Sequence, residues 1–302
     1  MIRSTQVLAV TLWFLWGGTF VAVKVGLELT SPAMFGLLRA VAAVLVLAVV
    51  VLLLRPSFEL RVFRSPAFLR TGALLGLTNV AGMLGFTHFA MVRAEAGFSA
   101  VVIYAQPFLV ALIAHYAFDE PLTARRTTGL VAGWFGVAVV VSGHLFDGQV
   151  SLGTVGLLLA AAVSWTIGTL LFKSLPRDVP VWPVLLWQNV AGALPLAALA
   201  LLGPARVEWD VALVLALLFA GVGAGVAGFG LQFVLLRRGA ASVVGTWIFA
   251  VPVVSSALSI AFLGEPARPT LLVGILAVAA GIYLVNRPTR HAAGTQVTAG
   301  AP

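Results

Sequence analysis

Residues 32–54 read PAMFGLLRAVAAVLVLAVVVLLL, an apolar run interrupted by one charge, Arg39. A helix rising about 1.5 Å per residue carries that length across a hydrocarbon core of roughly 30 Å. The run is continuous rather than alternating apolar with polar, so a helix is expected and a barrel strand is not. The same ruler, moved outward, gives ten segments: 6–28, 32–54, 68–88, 96–118, 127–143, 152–173, 181–202, 211–235, 240–263 and 268–286. The first is too long for a cleaved signal peptide, and no soluble domain follows it. Composition agrees. Of the 302 residues 61% are hydrophobic and 9% charged, whereas a soluble globule needs roughly 25% charged residues. Cysteine is absent, which removes disulfide frameworks, thiolate zinc sites and thiol catalysis. An all-α membrane protein of ten transmembrane helices is expected.

The scarce charges set the orientation. Thirteen of the 18 Lys and Arg residues fall on the side of the N terminus, among them Arg55, Arg125, Arg237 and Arg287. Three, Arg93, Arg206 and Arg268, fall on the opposite side, and Lys24 and Arg39 lie within spans. Basic loops stay in the cytoplasm, which puts both termini there, as an even number of spans requires. The net charge of +8 is thus topological, and no nucleic-acid partner is expected.

The chain also repeats itself. At an offset of 145 residues Arg93 falls on Arg238, Pro107 on Pro252, and Glu120-Pro121 on Glu265-Pro266. Gly85, Gly129 and Gly136 fall on Gly230, Gly274 and Gly281; nearer the front of each half the offset is 149, where Trp16 meets Trp165 and Lys24 meets Lys173. Each half holds five spans, an odd number, so the second enters the membrane upside down. The expected organisation is therefore two inverted five-helix repeats, 1–145 and 146–290, followed by a disordered cytoplasmic tail, 291–302. Inverted repeats are a hallmark of secondary transporters, in which similar halves rock about one midplane site, although channels and some other membrane proteins carry them too.

These residues resemble the EamA group of the drug/metabolite transporter superfamily. The likeness rests on Trp16-Gly17-Gly18-Thr19-Phe20-Val21 with Lys24, on Leu38-Arg39, and on the block from Ala96 through Pro107 to Glu120-Pro121-Leu122-Thr123 and Gly129. The second copy departs from the pattern, reading Gly264-Glu265-Pro266-Ala267-Arg268 without its Leu-Thr. The resemblance implies a ten-span fold and export of amino acids, other metabolites or drugs from the cytoplasm across the cell (inner) membrane.

Polar or aromatic residues at mid-depth are the candidate substrate-binding set: Trp16, Asn79, Tyr104, Gln106, Trp165, Trp247 and Ser255, with Arg39 nearer one edge. Tryptophan ordinarily prefers the membrane interfaces. At mid-depth these rings either line a cavity, with amides and hydroxyls supplying hydrogen bonds, or pack between helices or against lipid. Pro107 and Pro252 occupy equivalent mid-span positions and either free backbone groups for a ligand or simply kink the helices. Arg39 needs a partner, because an intramembrane Arg costs at least ~2.5 kcal/mol. No carboxylate lies at its depth, which leaves backbone carbonyls at a helix break or a substrate carboxylate. Lys24 and Lys173 lie near span ends and are expected to snorkel. His88 and His115 lie near opposite ends of their spans, unlinked.

All ten acidic residues fall in loops or at span ends, so no buried carboxylate relay is available for proton coupling. An uncoupled facilitator is the simpler reading, with coupling through a histidine or an edge acid as the other. No catalytic constellation occurs, no Walker A loop is present, and neither cofactor nor metal is called for. The leading expectation is an exporter of aromatic or apolar amino acids or related metabolites working by alternating access. A broader drug or metabolite exporter and a non-transporting receptor or structural protein are the alternatives. The partners expected are a small-molecule substrate and membrane lipid; the oligomeric state stays open, a monomer being one reading.

Overall fold

In hydrocarbon every unpaired backbone amide or carbonyl costs several kcal/mol (~4–8 on the cyclohexane scale), so apolar segments satisfy their own backbones as helices. The computed structural model describes residues 2–54, 60–118, 122–176, 179–232 and 250–286. Its helices are α1 (Ile2–Leu29), α2 (Pro32–Leu54) and α3 (Pro66–Met91). α4 comprises two pieces, Ala96–Ile103 and Gln106–Phe118. α5 (Ala124–Phe146), α6 (Leu152–Lys173), α7 (Val181–Leu202) and α8 (Val211–Gln232) follow. α9 (Ala250–Leu263) and α10 (Pro269–Asn286) complete the described chain.

These helices match the ten sequence segments in order and position. Eight are long and apolar enough to cross a membrane, and α9 and α10 are shorter apolar helices. Side chains that compete with helix interiors stand at the helix starts instead. Ser65, Thr123 and Ser151 accept hydrogen bonds from the amides of Phe68, Arg126 and Thr154, and Asp210 accepts from that of Ala212. Helical periodicity then decides which face turns outward. α2 buries Arg39, Ala43, Leu47 and Val51, while Leu45, Val49 and Leu53, about half a turn away, stay exposed. Exposed leucine and valine in such rows suit lipid.

Glycine contacts pair up as a two-fold relation between the halves requires. A Cβ built on Gly129 would lie 2.8 Å from the carbonyl oxygen of Gly281, and one on Gly274 would lie 2.8 Å from that of Gly136. The 145-residue offset carries the first pair onto the second with the helices exchanged, so α5 and α10 cross at one self-equivalent small-residue seam. A second such pair joins α2 to α8 and α7 to α3. Gly76 packs on the carbonyl of Gln188 and Gly221 on that of Arg39; Gly76 and Gly221 are 145 apart, Arg39 and Gln188 149 apart. Both glycines belong to π-helical stretches, Gly76–Leu84 in α3 and Leu218–Gly228 in α8. Their wider turns displace carbonyls from the regular ladder.

Candidate functional site

The aromatic residues that the repeat aligns also meet in space. Trp16 of α1 and Trp165 of α6 lie edge to face, 5.9 Å apart with planes at 82°. Trp165 makes a second edge contact with Tyr104 of α4 at 5.5 Å and 86°. Tyr104 continues to Phe20, and Trp16 to Phe229 of α8. Such tilted and T-shaped pairs put ring edges on ring faces, each worth ~0.5–1.5 kcal/mol beyond burial. The rings are therefore held rigidly at the centre of the bundle.

Tyr104 reaches this position because α4 breaks. Helix stops at Ile103 and resumes at Gln106. Pro107, in the first turn of the second piece, has no N–H to give the carbonyl of Ile103. Around the rings lies a chamber of about 50 Å³, walled mainly by Trp16, Phe20, Val23, Met83, Ile103, Tyr104, Trp165 and Phe229. A smaller one of about 20 Å³ adjoins it, walled by Asn79, Gln188, Asn189, Ala43, Gly221 and Gly225 among others. Arg39, Leu84 and Phe229 belong to both walls.

Arg39 is 4% exposed and spans two neighbours. Its Nη2 donates to the carbonyl oxygen of Ala220 at 2.8 Å, and its Nη1 lies 3.3 Å from Nε2 of His88. Ala220 sits in the π-helical part of α8, and a backbone carbonyl at a helix irregularity is one of the two partners that the sequence leaves open. The guanidinium can only donate, so His88 Nε2 is the acceptor and carries no proton in this arrangement. The described residues offer Arg39 no ion pair.

Of the sequence-derived candidates, Trp16, Arg39, Asn79, Tyr104 and Trp165 come together on these walls. Gln106 does not line either chamber; its Nε2 donates to Thr169 Oγ1 at 3.0 Å and ties α4 to α6. Ser255 is fully buried in α9, where its backbone amide packs on Gly17 of α1. Pro252 is buried in the first described turn of α9, and Trp247 lies outside the described residues. Gln188 and Asn189 were missed, although two adjacent amides at the centre of an apolar span are legible by the depth rule that found Asn79. By sequence His88 reads as a span-end residue, and no linear signal pairs it with Arg39.

The end of the bundle carrying the α3–α4 loop holds a polar cluster. Arg268 Nη1 donates to both carboxylate oxygens of Glu95 at 2.8 and 2.7 Å. His144, fully buried, places Nε2 3.4 Å from Glu95 Oε2, while its Nδ1 lies 2.9 Å from the carbonyl oxygen of Val140. Burial alone would raise the Glu95 pKa, but hydrogen bonds from His144 and Arg268 and their charge outweigh it and hold the carboxyl below its ordinary range. Glu265 closes the same end: its carboxylate accepts the amides of Ala96 and Gly97 at the start of α4. The Lys24 ammonium donates to the carbonyls of Met91 and Ala94, each at 2.9 Å, at the end of α3 where carbonyls lack intrahelical partners.

An all-helical membrane bundle, with two glycine seams exchanged by its internal repeat and aromatic and amide chambers at its centre, defines a polytopic membrane protein with an internal cavity. The chain belongs to the EamA-like transporter family, whose profile matches it twice, over residues 3–142 and 152–287. It is 28% identical over 291 residues to "Uncharacterized transporter YvbV" of Bacillus subtilis, covering 95% of this chain and 92% of that one. It is 28% identical over 295 residues to "Probable amino-acid metabolite efflux pump" of Salmonella typhimurium, covering 94% and 95%. A solved crystal structure superposes with a TM-score of 0.66 at 18% identity, over 93% of this chain and 96% of its own. That likeness concerns the fold alone.

Proposed function

We propose that this transporter exports aromatic or apolar amino acids, or closely related metabolites, across the cell (inner) membrane by alternating access. Residues 1–145 and 146–290 are the two inverted halves, both termini are cytoplasmic, and the polar cluster at Glu95 faces outward. The observation that carries the reading is the pairing of Trp16 with Trp165, one from each half, inside an aromatic chamber. Two rocking halves that each contribute one wall to a central site can expose it alternately to either side. The relatives named for amino-acid metabolite efflux point the same way. Among the described residues no group of His, Asp and Glu is arranged to hold a metal, and no carboxylate pairs with Arg39. The lack of a carboxylate partner for Arg39 favours uncoupled transport down the substrate gradient.

Counterflow in proteoliposomes, with a panel of radiolabelled amino acids and with or without a pH gradient, tests this. Exchange of aromatic and branched apolar amino acids above that of charged ones is expected, independent of the gradient. No exchange of any amino acid refutes the amino-acid reading, and exchange of structurally unrelated drugs replaces it with a broad-specificity exporter. Dependence on the pH gradient refutes uncoupled transport.

A further inference from the structure

Resting on the export reading above, the geometry points to Arg39 as the carboxylate anchor of the substrate, at the junction between an aromatic chamber for its side chain and an amide chamber for its amino group. Three observations converge. Arg39 is a buried cation with no counter-charge among the described residues. Isolated buried charge is expensive, and the group settles only where opposite charge or several acceptors reach it. The protein supplies two, the Ala220 carbonyl and His88 Nε2. Both are neutral, which leaves the other guanidinium N–H groups and the whole positive charge for an incoming anion.

The second observation is position. Arg39 belongs to the wall of both chambers. A carboxylate held there places one substituent of its α-carbon among Trp16, Tyr104 and Trp165, and the other toward Asn79 and Gln188. A molecule carrying an acid, a hydrogen-bonding group and an apolar group on one carbon fills all three places, and an apolar α-amino acid is such a molecule. The third observation is unmet polarity. Trp16 Nε1, a donor, and Asn79 Oδ1, an acceptor, have no hydrogen-bond partner although both residues are over nine-tenths buried. Buried polar atoms are nearly always paired, and a zwitterion brings both an acceptor and a donor.

The repeat shows that the cation is not required by the packing. Gln188 occupies the place in the second half that Arg39 occupies in the first, and both carbonyls receive an equivalent glycine, Gly76 and Gly221. A neutral amide suffices for that helix contact. Arg39 is the asymmetric member, and its charge is free for recognition.

The test uses the full-length protein in proteoliposomes and four probes that differ by one group: L-phenylalanine, L-phenylalaninamide, phenethylamine and 3-phenylpropionate. Phenylalanine is expected to outcompete phenethylamine and the amide by roughly 30-fold or more, the effect of deleting one partner of a buried charge pair. Arg39→Gln, chosen because Gln stands at the equivalent position of the other half, is expected to bring that ratio to within about twofold while Arg39→Lys retains part of it. Folding of each variant is verified by monodispersity and thermal unfolding in detergent. A folded Arg39→Gln that keeps the wild-type ratio overturns the assignment. Should the variants not fold, titration of wild-type tryptophan fluorescence decides: preference for 3-phenylpropionate over phenethylamine supports the anchor, and the reverse overturns it. If 3-phenylpropionate is exchanged in an Arg39-dependent manner while no amino acid is, the anchor stands and the amino-acid reading falls.

Discussion

Replacing Gly281 with alanine adds one methyl group to the crossing of α5 and α10. Its Cβ would lie 2.7 Å from the carbonyl oxygen of Gly129, 2.7 Å from the amide nitrogen of Gly133 and 2.8 Å from the Cα of Gly133. All three are backbone atoms and cannot rotate aside. Ordinary contact begins near 3.4 Å, so the helices must part by about 0.7 Å, the gap between that distance and 2.7 Å. Overpacking of this kind costs about 1–3 kcal/mol. Alanine returns about 1 kcal/mol through its helix propensity, leaving a net loss of up to about 2 kcal/mol. Gly156→Ala is the matched control, because nothing lies within 4 Å of its Cβ position in α6. There the same methyl group is expected to stabilise by up to about 1 kcal/mol. Thermal unfolding of detergent-purified protein should therefore move in opposite directions, with Gly281→Ala falling by as much as roughly 3 °C. Gly129→Ala joined to Gly281→Ala should cost less than the sum, since the first substitution already parts the seam that the second crowds. Equal shifts of one sign for Gly281→Ala and Gly156→Ala would refute the close α5–α10 crossing.

Glu95 gives a pH prediction. Its pKa is depressed in the folded protein, so its stabilisation is complete above the unfolded carboxylate value and is lost as pH falls through the folded one. Unfolding temperature should drop on acidification below about pH 5, and Glu95→Gln should flatten that limb while lowering stability at neutral pH. Lys24→Met strips two carbonyls at the end of α3 of their donor and should lower stability by about 1.5–3 kcal/mol, with partial recovery in Lys24→Arg by the same melting assay. Gly264 has φ +68°, in the left-handed region, and turns the chain into Glu265, whose carboxylate closes α4. Gly264→Ala should cost about 1–2 kcal/mol in the melt, and more than Gly153→Ala, which stands in open helix.

The helical architecture was legible because lipid leaves the backbone one solution. Every expected segment overlaps a described helix, and α2, α6 and α7 agree with their expected limits to the residue. The seams were half legible. Aligning Gly129 with Gly274 and Gly136 with Gly281 predicts equivalence but not partnership, and only the structure shows that Gly129 faces Gly281 and Gly136 faces Gly274. At the site, depth picked Trp16, Trp165 and Asn79, which line the chambers. It also picked Gln106, which its neighbour Thr169 takes up, since depth along a helix says nothing about azimuth.

Arg39 marks where one kind of information ends and the other begins. From the sequence alone, a lone cation in an apolar span demands a partner, and the absence of acids at its depth excludes a carboxylate of the chain itself. The carbonyl that answers it belongs to Ala220, 181 positions away, within a π-helical stretch that no periodicity announces. The histidine beside it comes from a third helix. Linear order determined the spans, their repeat and the need for compensation, because each follows from transfer of side chains and backbone into lipid. Which groups meet, and that the charge is left facing two chambers, depended on helix rotation and packing among α2, α3 and α8.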